Sequence, residues 1–273
     1  MGHGIAQVSA TAGYETTLYD IDMATVEAGL ARIRRNLDKG VEVGKVDPDD
    51  RRATLGRLRL TSDLPRAVRE ADLVVEAAPE RIDLKHELWR AVEREVDENA
   101  LLATNTSSLS IARLAEALER PERFLGLHFF NPVHIMALVE VVWGPRTDEA
   151  TRSDGMAFAR SLGKEPILVK DSPGFASSRL GVLLGLEAMR MVEEGVASPE
   201  DIDRAMELGY RHPMGPLKLT DLVGLDVRLS IAEYLHETLG SEAFRPPEIL
   251  RRLVAQGKLG KKTGEGFHVW RNE

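Results

Sequence analysis

Short apolar runs recur through the first 171 residues: TTLYD (16–20), ADLVVEA (71–77), ALLATNTSS (100–108), FLGLHFFNP (124–132), ALVEVVW (137–143) and EPILVKD (165–171). Each is strand-sized and several are rich in Val and Leu, and the segments between them carry helical spacing. Val26, Leu30, Ile33 and Leu37 fall on one stripe of residues 24–40, and Leu84, Leu88, Trp89 and Val92 on one face of 82–96. A further helix is expected at about 149–162, and the charged stretch 41–56, containing VDPDDRR, reads as a loop entering a helix. Strands apolar on both faces, alternating with amphipathic helices, must be covered by helices on both sides. That requirement selects an α/β doubly wound, mostly parallel sheet of the Rossmann-like type.

After Asp171 the alternation stops. Residues 174–195, 199–208, 216–239 and 246–256 read as helices punctuated by GYRHPMGP and FRPPE, and only GFHVW at 266–270 could be a strand. The expected division is therefore 1–171, the α/β domain, and 172–273, an all-α domain, with the boundary at DSPG (171–174). With 273 residues, 43% of them hydrophobic, the chain can bury a sizeable core in each. The net charge of −8 argues against nucleic acid as a partner, because phosphate binding needs a basic face. There is no cysteine, hence no disulfide framework or thiol chemistry. No apolar run approaches the roughly 20 residues of a membrane span, and the start lacks the pattern of a signal peptide. The expectation is a cytoplasmic protein without a membrane partner.

The opening stretch, MGHGIAQVSATAGYETTLYDID, looks like the back half of a nucleotide-binding unit. Gly2 and Gly4 sit where a helix begins, Ile5, Val8 and Ala12 give it an apolar stripe, and Gly13 stops it. Asp20 ends the next strand about 20 residues on, the distance of an acid that holds an adenosine ribose. Many α/β proteins share these features. More telling is the placement of polar residues after successive strands: Asp20, then Glu76 and Glu80, then Asn105 and Ser107, then His128 and Asn131. In an open α/β sheet, ligands bind outside the carboxyl ends of the strands, so these residues outline one cleft.

His128 follows an apolar strand, and Glu140 lies inside another, where an unpaired carboxylate would be costly. If the two strands are neighbours, a His–Glu pair satisfies both. A carboxylate on one ring nitrogen fixes the tautomer and stabilises the protonated ring, and the other nitrogen can then take a proton from an alcohol. A satisfied core histidine, or a buried pair with no catalytic role, fits the same residues. Ser107 can hydrogen-bond a substrate oxygen or cap a helix, as Ser108 and Ser110 also could. There is no G-x-S-x-G elbow for a nucleophilic serine, and no cluster at metal-ligand spacing, so no metal is expected.

Together NTSSLSI (105–111), LHFFNP (127–132), LVEVV (138–142), DSPGFASSR (171–179), HPMGPLKLTDLVGLD (212–226) and KKTGEGF (261–267) resemble the 3-hydroxyacyl-CoA dehydrogenases, most closely the bacterial 3-hydroxybutyryl-CoA type. The likeness runs through nearly the whole chain in order. It implies an NAD-binding domain followed by a helical domain that forms a homodimer and takes part in substrate binding. It also implies oxidation of the L-3-hydroxy group of a short-chain acyl-CoA to a 3-keto group. Mapped onto this sequence, it makes His128 the base, Glu140 its orienting partner and Ser107 the residue that holds the reacting oxygen. It places Gly2, Asp20, Glu80, Lys85, Asn105 and Ser107 on the cofactor, with Lys262 from the tail. Ser107, Asn131, Asn36 and Lys45 fall on the substrate side. For Lys39, Lys45 and Arg34 a solvated helix face fits as well.

Two departures stand out. The family pattern D-T-P-G-F-x-x-N-R carries a substrate-binding catalytic Asn where this chain has Ser178, which is shorter and lacks the two-ended amide. The strand and the first glycines of the nucleotide-binding turn precede Met1 in the family pattern. The expectation drawn from this is a start codon assigned about a dozen residues inside the gene product, leaving neighbouring strands without ladder partners. Two other readings remain open: a related dehydrogenase of a small hydroxy acid, of the carnitine or gulonate type, and a non-catalytic dimeric descendant.

Overall fold

The computed structural model describes residues 1–270 and falls into two compact units, Met1–Ser172 and the chain from Pro173 onward. The first unit runs α1 (Gly2–Thr11), β1 (Thr16–Tyr19), α2 (Met23–Glu42), α3 (Pro48–Gly56), β2 (Leu58–Thr61), α4 (Leu64–Val68), β3 (Leu73–Glu76), α5 (Ile82–Glu93), β4 (Leu101–Thr104), α6 (Ile111–Leu114), β5 (Phe124–Phe129), β6 (Leu138–Trp143), α7 (Glu149–Ser161) and β7 (Glu165–Lys170). β3, β4 and β5 are parallel, β6 runs antiparallel to β5, and β7 is parallel to β6. The second unit holds α8 (Ser177–Glu193), α9 (Pro199–Gly209), α10 (Pro216–Val223), α11 (Leu225–Leu239) and α12 (Glu248–Ala255). This is the Rossmann-like α/β sheet followed by a helical domain that the alternation implied.

The sheet is interrupted. Among the described residues β1 pairs only with β2, and a separate ladder joins β3 through β7. One helix serves both parts. Ala6 and Ala10 of α1 pack with Ile33, Leu37 and Leu58, while Ile5 and Val8 pack with Leu101, Ala103, Leu125 and Leu127. Alternating apolar contacts around α1 thus tie the two ladders into one unit. β4 and β5 are buried along their whole length, whereas β3 is half-buried over most of its length and β1 is half-buried with Thr17 exposed. Gly4 permits the approach of α1 to the segment after β5, since a Cβ there would lie 2.9 Å from Val133 Cγ2.

Four elements differ from the sequence reading. β2 and α4 lie where no strand or helix was expected. LRLT alternates with only Leu58 and Thr61 buried among charged neighbours, so it has no apolar run to announce it. The helix read over 216–239 is broken at Gly224, whose φ of 108° suits glycine and starts a new axis in α11. GFHVW is not a strand. It makes only an isolated bridge between Val269 and Glu265, and buried Asp221 accepts hydrogen bonds from the backbone N–H groups of Phe267 (2.9 Å) and His268 (2.8 Å) and from Trp270 Nε1 (3.0 Å). The second unit's core is built from Val182, Leu186, Met189, Ile202, Leu217, Leu225, Leu235 and Leu250.

Candidate active site

β5 and β6 are antiparallel neighbours, and their register sets His128 directly opposite Glu140. Nδ1 of His128 lies 2.7 Å from Glu140 Oε2. Glu140 is 0% exposed and His128 7%. A carboxylate inside an apolar strand is tolerated because the cross-strand imidazole meets it. With Nδ1 committed to Glu140, proton exchange with a substrate falls to Nε2. The ring of Phe130 stands 4.6 Å from the imidazole, tilted by 48°, and limits its rotation.

A second network lies at the ends of β3 and β4. Glu76, the last residue of β3, accepts from Lys85 Nζ (2.6 Å), from Thr104 Oγ1 (2.7 Å) and from the Ala78 N–H. Lys85, on α5, is 1% exposed and also donates to Ala78 O at 3.1 Å. Its ammonium is 3.5 Å from Glu80 Oε2. Glu80 in turn accepts from Thr106 Oγ1 (2.9 Å), Ser107 N (2.7 Å) and Ser107 Oγ (3.1 Å). Asn105 Oδ1 accepts from the Phe129 N–H at 2.9 Å, tying the end of β4 to the end of β5 one residue beyond His128. Capping is left to Ser110, which accepts from Arg113 N, so Ser107 is not spent on a helix end.

The third feature surrounds the start of α1. Burial, and then neighbouring positive charge including Arg32 and His134, lowers the pKa of His3. Burial, then Lys164, lowers that of His134. The lowered values favour neutral rings at this helix start, where uncapped backbone N–H groups, with the Arg32 guanidinium near His3, offer a place for an anion. The sequence reading singled out neither His3 nor His134. Asp20 follows β1, half-buried, its Oδ1 accepting from Ile21 N at 2.8 Å.

Asn36 donates to Gln7 Oε1 at 3.1 Å and holds α2 to α1. Lys45 is exposed in the turn after α2, and Asn131 is exposed at a cis peptide bond with Pro132. Gly2 opens α1, where a Cβ would lie 3.8 Å from Ala77 Cβ. Ser178 and Lys262 belong to the second unit, Ser178 in the first turn of α8 and Lys262 paired with Asp226. The sequence reading missed Thr104 and Thr106, although two threonines closing an apolar strand in ATNT are the signal for such a network. Among the described residues, no group of three or more His, Cys, Asp or Glu side chains could hold a metal ion, and no helix is long and apolar enough to cross a membrane.

Residues 1–172 match the 3-hydroxyacyl-CoA dehydrogenase NAD binding domain, and residues 174–270 the C-terminal domain of the same family. The chain belongs to the 3-hydroxyacyl-CoA dehydrogenase family. It is 44% identical to a probable 3-hydroxybutyryl-CoA dehydrogenase of Bacillus subtilis over 98% of this chain and 93% of the relative. It is 42% identical to the mitochondrial hydroxyacyl-coenzyme A dehydrogenase of Sus scrofa, over 99% of this chain and 88% of that one. The crystal structure of (S)-3-hydroxybutyryl-CoA dehydrogenase from Ralstonia eutropha superposes with a TM-score of 0.96 at 41% identity, covering 100% of this chain and 96% of that one. NAD is the cofactor of the family's first domain, and the residues present fit it. The uncapped N-terminus of α1 suits a pyrophosphate, and Asp20 after β1 suits a ribose hydroxyl, while its charge disfavours a 2′-phosphate.

Proposed function

We propose that the chain interconverts L-3-hydroxyacyl-CoA and 3-ketoacyl-CoA with NAD, acting on short acyl chains such as 3-hydroxybutyryl-CoA. The observation that carries this reading is the buried His128–Glu140 pair, held by strand register at the carboxyl side of the parallel strands. Bound NAD supplies the hydride acceptor. His128 takes the hydroxyl proton at Nε2, and Glu140 at Nδ1 holds the tautomer and stabilises the ring once it is charged. Ser107, held by Glu80, positions the reacting oxygen. Asp20, Glu80 and Asn105 lie on the cofactor side, with Gly2 opening the helix toward the pyrophosphate. Buried Lys85 acts through its carboxylate partners.

A second reading rests on Ser178. A serine in place of the family's asparagine is shorter and changes the hydrogen bonding offered to substrate, which keeps open a related dehydrogenase of a small hydroxy acid. NADH oxidation followed with acetoacetyl-CoA and, separately, with the matching 3-keto acid lacking coenzyme A decides between them. Turnover of the thioester alone supports the acyl-CoA reading, and turnover of the acid alone overturns it. We further infer a cytoplasmic homodimer. The second unit exposes Leu180 (68%), Leu208 (75%), Leu222 and Val227, apolar surface that a second copy would cover. Sedimentation equilibrium showing a monomer at micromolar concentration would contradict the dimer.

A further inference from the structure

Glu76 is the buried carboxylate of the first unit's polar network, and its hydrogen bonds come from Lys85, Thr104 and Ala78 rather than from Ser107 or the His128 pair. Its side chain is buried and receives an ammonium, a hydroxyl and a backbone N–H. Lys85 therefore stands between two carboxylates, 2.6 Å from Glu76 and 3.5 Å from Glu80. Both are within reach of one ammonium, and the nearer one holds it. Glu80 is then left to the Ser107 loop, where it receives the hydroxyl of Thr106 and both the N–H and the hydroxyl of Ser107.

We propose that Glu76 is a positioning residue for this reaction: by holding Lys85 away from Glu80, it keeps Glu80 bound to Ser107 and so fixes the Ser107 hydroxyl that the reacting oxygen meets. The two carboxylates compete for one cation. Lys85 is buried while Glu80 reaches solvent, and a buried ammonium with no water of its own moves toward whichever carboxylate remains charged. With Glu76 neutral, Lys85 closes on Glu80. A carboxylate drawn onto an ammonium gives up its weaker acceptor contacts first, and the 3.1 Å bond from Ser107 Oγ is the longest of those it accepts from that loop. Thr104 backs Glu76 from the far side, since its hydroxyl fixes the second carboxylate oxygen. The residue thus acts at two removes, through Lys85 and Glu80.

This inference rests on the proposed dehydrogenase reading, and a double-mutant cycle tests it. Glu76→Gln keeps shape and removes charge, and it should lower kcat/KM for acetoacetyl-CoA with NADH about tenfold, the scale of loss when a reacting group is slightly misplaced. In a Ser107→Ala background the same substitution should cause no further loss, because the group it positions is gone. A general structural defect would instead multiply with the Ser107→Ala loss, and that result would overturn the proposal, as would full activity in Glu76→Gln alone. If Glu76→Gln does not fold, judged by circular dichroism, Thr104→Val carries the test. It removes one anchor of Glu76 without touching Lys85, and its smaller loss should likewise vanish in the Ser107→Ala background. Multiplying losses there would be equally contradictory. An inactive wild-type chain would overturn the reading and the inference together, whereas an active wild type with multiplying losses would overturn the inference alone.

Discussion

At the scale of single residues, chemistry is concentrated where a costly side chain sits in an apolar setting. Glu140 is the costliest, a carboxylate inside an apolar strand that meets one imidazole nitrogen across the ladder. Replacing Glu140 with Gln keeps the volume but removes the charge that stabilises the protonated ring. We expect kcat to fall roughly 10²- to 10⁴-fold with the fold retained, measured by steady-state turnover beside circular dichroism. Gly4 is constrained by space rather than charge. A Cβ there meets Val133 at 2.9 Å, so Gly4→Val should push α1 from the segment after β5 and destabilise the first unit by about 1–3 kcal/mol in urea unfolding. The sequence made the His128–Glu140 pairing legible because a buried acid demands a partner. It did not reveal that Lys85 is buried, since a lysine on a helix surface and one turned into the fold look alike until the carboxylate that draws it in is located.

Elements come next. The strands read from apolar runs, β3 to β7, were legible from composition, most plainly β4, β5 and β6, which are buried on both faces, whereas β2 was hidden by its charged neighbours. The helix expected at about 149–162 has its cap just before it: Asp148 accepts from Thr151 N at 2.6 Å and starts α7. That bond, with the Thr151 hydroxyl behind it, lowers the Asp148 pKa. Asp148→Ala should cost about 1 kcal/mol at neutral pH and progressively less as pH falls through the lowered carboxylate value, where the wild-type cap itself is lost. The C-terminal tail shows the opposite sign. The hydrogen bond from His268 Nε2 to Asp203 raises the His268 pKa first, and the charges of Asp203, Asp221 and Glu200 add to it against burial. This contribution is complete below the ordinary imidazole value of about 6.5 and disappears as pH rises through the raised value. Thermal melts should therefore separate His268→Gln from wild type more at pH 6 than at pH 9. No periodicity in GFHVW could reveal this clasp, because Asp221 lies 46 residues from the first N–H it receives.

The whole molecule is two units with separate cores, and the family assignment covers both. The alternation followed by an all-helical run was enough to read the architecture, and the motifs enough to read the family. The interrupted sheet is a property of the first unit as a whole. β4 and β5 have partners on both sides and are fully buried, while β1 has a single neighbour and β3 pairs only with β4. Backbone amides of β4 and β5 should therefore exchange with solvent far more slowly than those of β1 and β3, as hydrogen-exchange mass spectrometry would show. The most direct test of the central claim is a comparison of wild type and His128→Gln for NADH oxidation with acetoacetyl-CoA, alongside NADH titration of both proteins. We predict turnover by the wild type, a loss of about 10²- to 10⁴-fold in the variant, and nearly unchanged NADH binding. Undiminished turnover in His128→Gln would contradict the assignment of His128 as the base.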